Sequence, residues 1–429
     1  MFRRGPADAP VAVRAEGVWV EDAEGRRYLD AAGGAIVSAV GHGQQEVAEA
    51  IARQLTRLDY VHATAFTSDV LEEYANELAR LLPVAEARIY PVSGGSEATE
   101  TALKLARAYQ LALGQSQRTT VLARWGSYHG NSLGALDLSG RGPLRRPYEP
   151  WLGRFDHLPA VYEYRCPNPR HPSGCGAWHA GELERRIVEG GDVAAFVAEP
   201  IGGATIGAAL PPDDYWPAVA DVCRRHGVLL VVDEVMTGFG RTGRWFASEH
   251  YGLRPDILLA GKGAAAGYWP LGICVASGNV AAAVAEAGFV HGFTFSHHPA
   301  GAAAGRQVLR IMKEEGLVEA AAERGGQLLA ALRSSVGGHR AVGDVRGLGL
   351  LAAVELVSDR ESKAPFPRAE RVVEQVKGAC RESGLLVYTS TGCVDGVDGD
   401  IVLLGPPLTV SEDEVGMIVE RLAGALGSP

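Results

Sequence analysis

Cysteine is scarce and dispersed in this chain. Six residues in 429 make no disulfide framework, and they read as thiols in a reducing compartment. Positive charge is also in deficit, with 41 Lys and Arg against 51 Asp and Glu. The net charge of −10 argues against a nucleic-acid partner. No hydrophobic run approaches the roughly 18 residues that a membrane span needs. The segment Met1–Pro10 holds two arginines but no apolar core behind them, so a signal peptide is not expected. There is no internal repeat and no low-complexity tract. These absences describe a cytoplasmic protein that is soluble and needs neither nucleic acid nor membrane. One cluster stands apart: Cys166, His171, Cys175 and His179 fall within fourteen residues. Their spacing allows zinc but matches no standard finger. Pro167, Pro169, Pro172 and Gly174 suggest an irregular surface loop, and no metal is expected.

What is abundant is apolar residues, at 47%, enough for a large core and two or three packed units. Thr119–Ala123, Ala194–Ala198, Val228–Val232 and Ile257–Ala260 are short apolar runs of the kind found in strands buried on both faces. Pro212-Asp213-Asp214 opens a helical stretch to Arg225, Gly227 stops it, and a strand begins at once. This is a βαβ crossover, so an α/β fold with a mainly parallel sheet is expected. Its ligands should lie beyond the carboxyl ends of the strands, where Asp233 and Glu234 fall. The ends read differently. Residues 11–30 suggest a meander of Val11–Ala15, Val18–Glu21 and Arg27–Leu29. Beyond about 305, amphipathic helices (Gln307–Glu314, Leu317–Ser334, Arg368–Ser383) alternate with strands near Leu350–Leu356, Leu385–Tyr388 and Ile401–Leu404. The expected division is residues 1–50 and 311–429 together as a small α+β domain, with 51–310 as the large one.

Lys262 stands alone among small and apolar residues just past a strand, and lysine is rarely buried without cause. Desolvation lowers an amine's pKa and makes it a nucleophile toward aldehydes. On this segment alone a solvated loop lysine is a serious rival. Asp233 ends the preceding strand 29 residues earlier. A buried carboxylate there can keep a pyridine nitrogen protonated, as pyridoxal phosphate requires. Gly94-Gly95-Ser96 open a helix and can bring backbone donors to a phosphate. No Gly-Lys-Ser/Thr ending marks a Walker-type loop. Tyr128, in Tyr128-His129-Gly130, can stack on a flat ring, although such a tyrosine is as often core.

Taken as a set, these residues resemble class III aminotransferases. The resemblance runs through Tyr28-Leu29-Asp30, Gly95-Ser96-Glu97-Ala98, Tyr128-His129-Gly130, Glu199-Pro200 and Asp233-Glu234-Val235. It continues with Gly238-Phe239-Gly240-Arg241-Thr242-Gly243, Lys262, Gly292-Phe293-Thr294, Arg346-Gly347-Leu348-Gly349 and Pro406-Pro407-Leu408. The motifs keep the family's order over nearly the whole chain. The resemblance implies a fold-type-I pyridoxal-phosphate enzyme that is a homodimer or a tetramer of dimers. It implies that Lys262 holds the cofactor as a Schiff base and that Asp233 pairs with the ring nitrogen. Val235 and Tyr128 would flank the ring beside His129, Gly95 and Ser96 would hold the phosphate, and Thr294 would reach the neighbouring subunit's phosphate. An amino donor and a keto-acid acceptor would react in turn, by ping-pong kinetics.

The sequence departs from the family where the substrate is chosen. Relatives that use glutamate often carry an arginine before Pro-Pro-Leu and a glutamate after Glu-Pro; here those places hold Leu403 and Ala204. The loop Thr391–Asp400 carries no Arg or Lys. An unpaired carboxylate in an apolar pocket is costly. Either the amine lacks a nearby carboxylate, or Arg141, Arg145, Arg146 or Arg154 supplies the charge. Ile36, Val37 and Phe66 are candidates for an apolar pocket, or for ordinary core and dimer packing. The pattern favours an amine or omega-amino acid as donor and pyruvate as acceptor. A 2-oxoglutarate-dependent aminotransferase is the alternative, as are an aminomutase, a racemase, a decarboxylating transaminase or an amino-phosphate lyase on the same fold. A non-catalytic binding module is disfavoured by the presence of Lys262 and Asp233. A nucleotide-binding reading rests only on Gly347-Leu348-Gly349, which lacks a third glycine.

Overall fold

Continuous apolar runs form strands here because helices cover both faces of the sheet they enter. In the structure, a computed structural model that describes residues 9–427, seven strands make one sheet. Their order is Arg88–Val92, Gly272–Ala276, Ile257–Ala260, Leu229–Asp233, Val193–Ala198, Thr120–Arg124 and Asp156–Leu158. Only Gly272–Ala276 runs antiparallel to its neighbours; the other adjacent pairs are parallel. The leader reading of Met1–Pro10 falls almost wholly outside the described residues.

Side chains of these strands alternate between two cores, as a pleated strand dictates. Val121, Val197, Val231 and Leu259 pack beneath helix Gly95–Ala112, against Ala98, Ala102 and Leu105. Leu122, Phe196, Leu230 and Val232 face the other way, toward Leu183 and Ile187 of helix Cys175–Gly190 and Val219 and Val222 of helix Tyr215–His226. The expected crossover is present. The last of these helices ends at Gly227, whose φ of +62° suits a residue without a Cβ.

The chain ends build two smaller sheets. Ala12–Glu16, Trp19–Asp22 and Arg27–Asp30 form the expected meander, and Leu385–Leu386 joins it in parallel with Leu385 opposite Leu29. The other sheet is antiparallel, in the order Val342–Leu348, Leu351–Leu356, Asp400–Leu404 and Tyr388–Thr391. The segment expected as one strand, Leu385–Tyr388, therefore divides between two sheets. Gly347 belongs to a hairpin rather than a phosphate loop: a Cβ there would stand 2.2 Å from the carbonyl oxygen of Leu351. Residues from both ends and from the middle share one apolar core, including Leu29, Val40, Tyr74, Leu309, Leu404 and Leu422. Helices Gln45–Arg57 and Pro299–Glu314 run straight through residues 50 and 310. The division at those two numbers is thus a proposal about packing units and not a break in the backbone. Among the described residues, no helix is long and apolar enough to cross a membrane.

Candidate active site

Parallel neighbours end on the same rim, so the residues just past Arg124, Ala198, Asp233 and Ala260 converge. They enclose a cavity of about 390 Å³. Gly95, Ser96, Tyr128, His129, Asp233, Val235 and Lys262 all line it. Helix Gly95–Ala112 enters this space with no side-chain cap, because its N-cap is Gly94. Its first N–H groups are left for a ligand, with the positive end of the helix dipole behind them. The Oγ of Ser96 accepts a hydrogen bond from the Asn131 amide at 3.0 Å, which fixes the hydroxyl at the helix start.

Asp233 is buried, and its two oxygens are held separately. One lies 2.7 Å from Nδ1 of His129 and the other accepts the Val235 amide at 3.0 Å. The next residue, Glu234, turns away from the cavity. It accepts hydrogen bonds from the amides of Ala247 and Ser248 at 3.0 and 2.6 Å and from the hydroxyls of Ser248 and Thr237, so its role is to pin a turn. Glu199, which shares the strand-end logic of Asp233, does line the cavity. Its Oε1 accepts the Gly203 amide at 3.2 Å, while Oε2 is buried without a partner. Burial pushes this carboxyl up to about 7; the His129 side chain opposes the shift and the Asp233 charge adds to it.

Lys262 follows strand Ile257–Ala260 in a short turn with a left-handed φ of +43°, and Nζ donates to the Ala35 carbonyl at 2.9 Å. Burial pulls the amine down to about 8, against the opposing pull of Asp233 and Glu199. A nucleophilic amine, a fixed buried carboxylate, an uncapped helix start and an orphaned carboxylate oxygen therefore share one wall-to-wall space. That set fits pyridoxal phosphate, which presents an aldehyde, a ring nitrogen and a phosphate on one small flat molecule.

The remaining wall is apolar: Val37, Ile201, Ala204, Met236, Trp269 and Leu271. Of the substrate residues nominated from sequence, Ala204 lines the cavity. Ile36 and Leu403 are 2% and 0% exposed and belong to the apolar cluster behind Ala204. A left-handed φ of +59° at Ile36 leaves its neighbour Val37 on the cavity wall instead. Phe66 is 67% exposed and does not line the cavity. Thr294 is also exposed and outside it, with its carbonyl accepting the Tyr60 hydroxyl at 2.8 Å. Trp269, Ile201 and Met236 were not singled out from sequence, although each lies within seven residues of a strand-end motif that was. The four candidate arginines are elsewhere. Arg145 donates to the Leu136 and Ser139 carbonyls at 3.0 and 2.9 Å, Arg141 to Ser390 at 3.2 Å and Arg146 to the Gly396 carbonyl at 3.3 Å. Arg154 is exposed. Among the described residues that line the cavity, Lys262 is the only lysine or arginine.

Comparison with known proteins agrees with this geometry. The family model for aminotransferase class III matches residues 4–426. The putrescine–pyruvate aminotransferase of Pseudomonas aeruginosa is 33% identical over 96% of this chain and 93% of its own. The taurine–pyruvate aminotransferase of Rhodobacter capsulatus is 36% identical over 98% and 92%. Among solved structures, a thermostable (S)-enantioselective omega-transaminase from Thermomicrobium roseum superimposes with a TM-score of 0.92. It is 40% identical, with 99% of this chain and 93% of that one covered. The fold is that of fold-type-I pyridoxal-phosphate transferases, and the chain belongs to the class III aminotransferases, pyridoxal-phosphate-dependent enzymes.

Proposed function

We propose that this enzyme moves the amino group of an amine or omega-amino acid to pyruvate. The observation that carries the reading is the apolar wall without an arginine. A dicarboxylate such as 2-oxoglutarate would bring its second carboxylate against Ala204, Ile201 and Trp269, where no cation offsets its lost hydration. Pyruvate has one carboxylate fewer to accommodate. Two relatives named for pyruvate as acceptor support the choice.

When bound, pyridoxal phosphate supplies an aldehyde carbon and a ring that accepts negative charge from the carbon under attack. In our reading Lys262 would anchor it and Asp233 would pair with the ring nitrogen, with His129 keeping the carboxylate in register. Gly95 and Ser96 at the helix start hold the phosphate, and Val235 and Tyr128 bound the ring. Freed by the incoming amine, the same Lys262 nitrogen would stand as the base beside the substrate carbon. It takes a proton from the substrate carbon and later returns one, acting as general base and then acid. Amine and keto acid occupy the same cavity in turn, which gives ping-pong kinetics.

The reading includes a homodimer whose sites are shared. Thr294 lies outside its own cavity on a segment that exposes apolar side chains: Phe295 is 62% and Val290 is 97% exposed. Phe66, 67% exposed, is a further candidate for that interface. Such a patch suits a subunit contact better than open water.

The test is a panel of amino donors (alanine, β-alanine, 1-phenylethylamine, glutamate and a diamine) against pyruvate and 2-oxoglutarate, with both products identified. Pyruvate should yield alanine together with a stoichiometric carbonyl product from a donor lacking an α-carboxylate. Turnover confined to glutamate and 2-oxoglutarate would overturn the proposal.

A further inference from the structure

Away from the cavity, the chain leaves strand Asp156–Leu158, makes a short turn at Glu163–Arg165 and enters helix Cys175–Gly190 through an irregular loop. Asn168, itself buried, folds this loop back on itself. Its side-chain oxygen accepts the Arg170 amide at 3.0 Å and its carbonyl accepts the His171 amide at 3.0 Å. Its side-chain amide donates to the Ser173 carbonyl at 3.0 Å and to Cys175 Sγ at 3.4 Å. Gly174, with φ at +63°, then turns the backbone into the helix, of which Cys175 is the first residue.

The fold-back gathers three ligand-type atoms. Sγ of Cys166 lies 3.5 Å from Sγ of Cys175, and Nδ1 of His171 lies 3.2 Å from the same sulfur. Donor atoms of all three residues lie within 4.8 Å of one another. A tetrahedral zinc with Zn–S near 2.3 Å and Zn–N near 2.05 Å would hold two thiolates about 3.8 Å apart and a thiolate and an imidazole nitrogen about 3.6 Å apart. The Cys166–Cys175 and His171–Cys175 contacts are within a few tenths of an ångström of those values, and Cys166 and His171 lie within 4.8 Å of each other. Both cysteines are free thiols here. His179, four residues into the helix, is not part of the group. It is buried edge-on to Trp178 and Tyr215, with ring centroids 4.8 and 6.1 Å away.

We propose that Cys166, His171 and Cys175 bind one zinc ion, with water in the fourth position on the side of the exposed His171. Two soft sulfurs and an imidazole select zinc over magnesium or calcium, which prefer oxygen. The Asn168 amide donates to the Cys175 sulfur as an outer support. None of the three residues lines the cofactor cavity, so the ion would act apart from the transamination chemistry. The loop it would fasten also carries Tyr162 and Arg165, which reach across to Glu355 of the sheet built by the C-terminal part of the chain.

The experiment uses the reduced, cofactor-loaded enzyme. Metal analysis of protein purified without chelator should find about one zinc per chain. After chelation, titration with cobalt should saturate at one equivalent and give the intense thiolate-to-cobalt absorption of a two-sulfur site. Re-added zinc should raise the Tm of the wild type and leave that of a Cys166→Ser, Cys175→Ser variant unchanged. His171→Asn, a surface change that should not disturb folding, should weaken cobalt binding at least tenfold while transamination persists. Failure of the reduced wild type to take up zinc or cobalt would overturn the proposal. So would unchanged uptake by the double variant or by His171→Asn, or a Cys166–Cys175 disulfide whose reduction restores no metal binding.

Discussion

Lys262 lines the cavity with its amine pulled down to about 8 by burial, and its cost to the folded apoprotein depends on pH. Between pH 8 and the ordinary lysine value of 10.5 the unfolded chain binds more protons than the folded one. Stability of the apoprotein therefore rises with pH across that window, and below it the full cost of burying the charge is present. Lys262→Met removes the buried charge. The apo variant should be more stable than apo wild type by on the order of 1–3 kcal/mol at pH 7, with the difference fading toward pH 10.5. Urea denaturation at a series of pH values measures this. An advantage for the methionine that does not depend on pH would assign the effect to packing instead. The same variant should lose the absorption of bound cofactor and essentially all turnover.

At the scale of elements, the helix start proposed to hold the phosphate is placed by a neighbour with no chemistry of its own. Strand Gly272–Ala276 lies against Gly94 so closely that a Cβ on Gly272 would stand 2.3 Å from the Gly94 carbonyl oxygen. Gly272→Ala should push Gly94 and Gly95 out of place and weaken pyridoxal phosphate retention at least tenfold. Dialysis followed by fluorescence titration of the apoenzyme measures the loss, and wild-type affinity in the variant would show that the helix start tolerates the shift. That strand was not foreseen, nor were Arg88–Val92 and Val342–Leu348. Pro91 argues against a strand and is tolerated because Arg88–Val92 is at the sheet's edge. Gly343 and Gly347 hide the apolar rhythm of Val342–Leu348. The four central strands were legible to within about a residue, because a strand buried on both faces is apolar along nearly its whole length. Residues at their ends, such as Lys262 and Asp233, were legible for the same reason. The cavity wall was not. Val37 and Trp269 reach it from loops whose paths depend on tertiary packing, and whether Ile36 or Val37 faces inward turns on one left-handed residue.

Across the whole molecule, the large sheet and the C-terminal sheet are joined by a buried ionic knot. Glu355, fully buried, bonds Nε of Arg165 at 2.7 Å and pairs with Arg346 at 2.9 Å, and the Tyr162 hydroxyl donates to it. Arg346 in turn donates to the carbonyls of Gly207 and Ile206 at 2.6 and 2.8 Å. Removing one partner from such a knot leaves the others desolvated and unpaired. Glu355→Ala should destabilise the protein by roughly 3–5 kcal/mol, read as a lowered urea midpoint, while the folded fraction retains its cofactor absorption. A loss below about 1 kcal/mol would mean that water reaches the arginines. A slower consequence attaches to the parallel pairing of Leu385 with Leu29. The meander at the beginning of the chain finds its fourth strand more than 350 residues later, where Arg26 also meets the Arg381 carbonyl across a separation of 355. At a synthesis rate of about 5–20 residues per second, the nascent amino-terminal sheet waits roughly 20–70 s with its Arg27–Asp30 edge unpaired. In the cell that interval is the window in which a chaperone, or a wrong partner strand, competes for the edge.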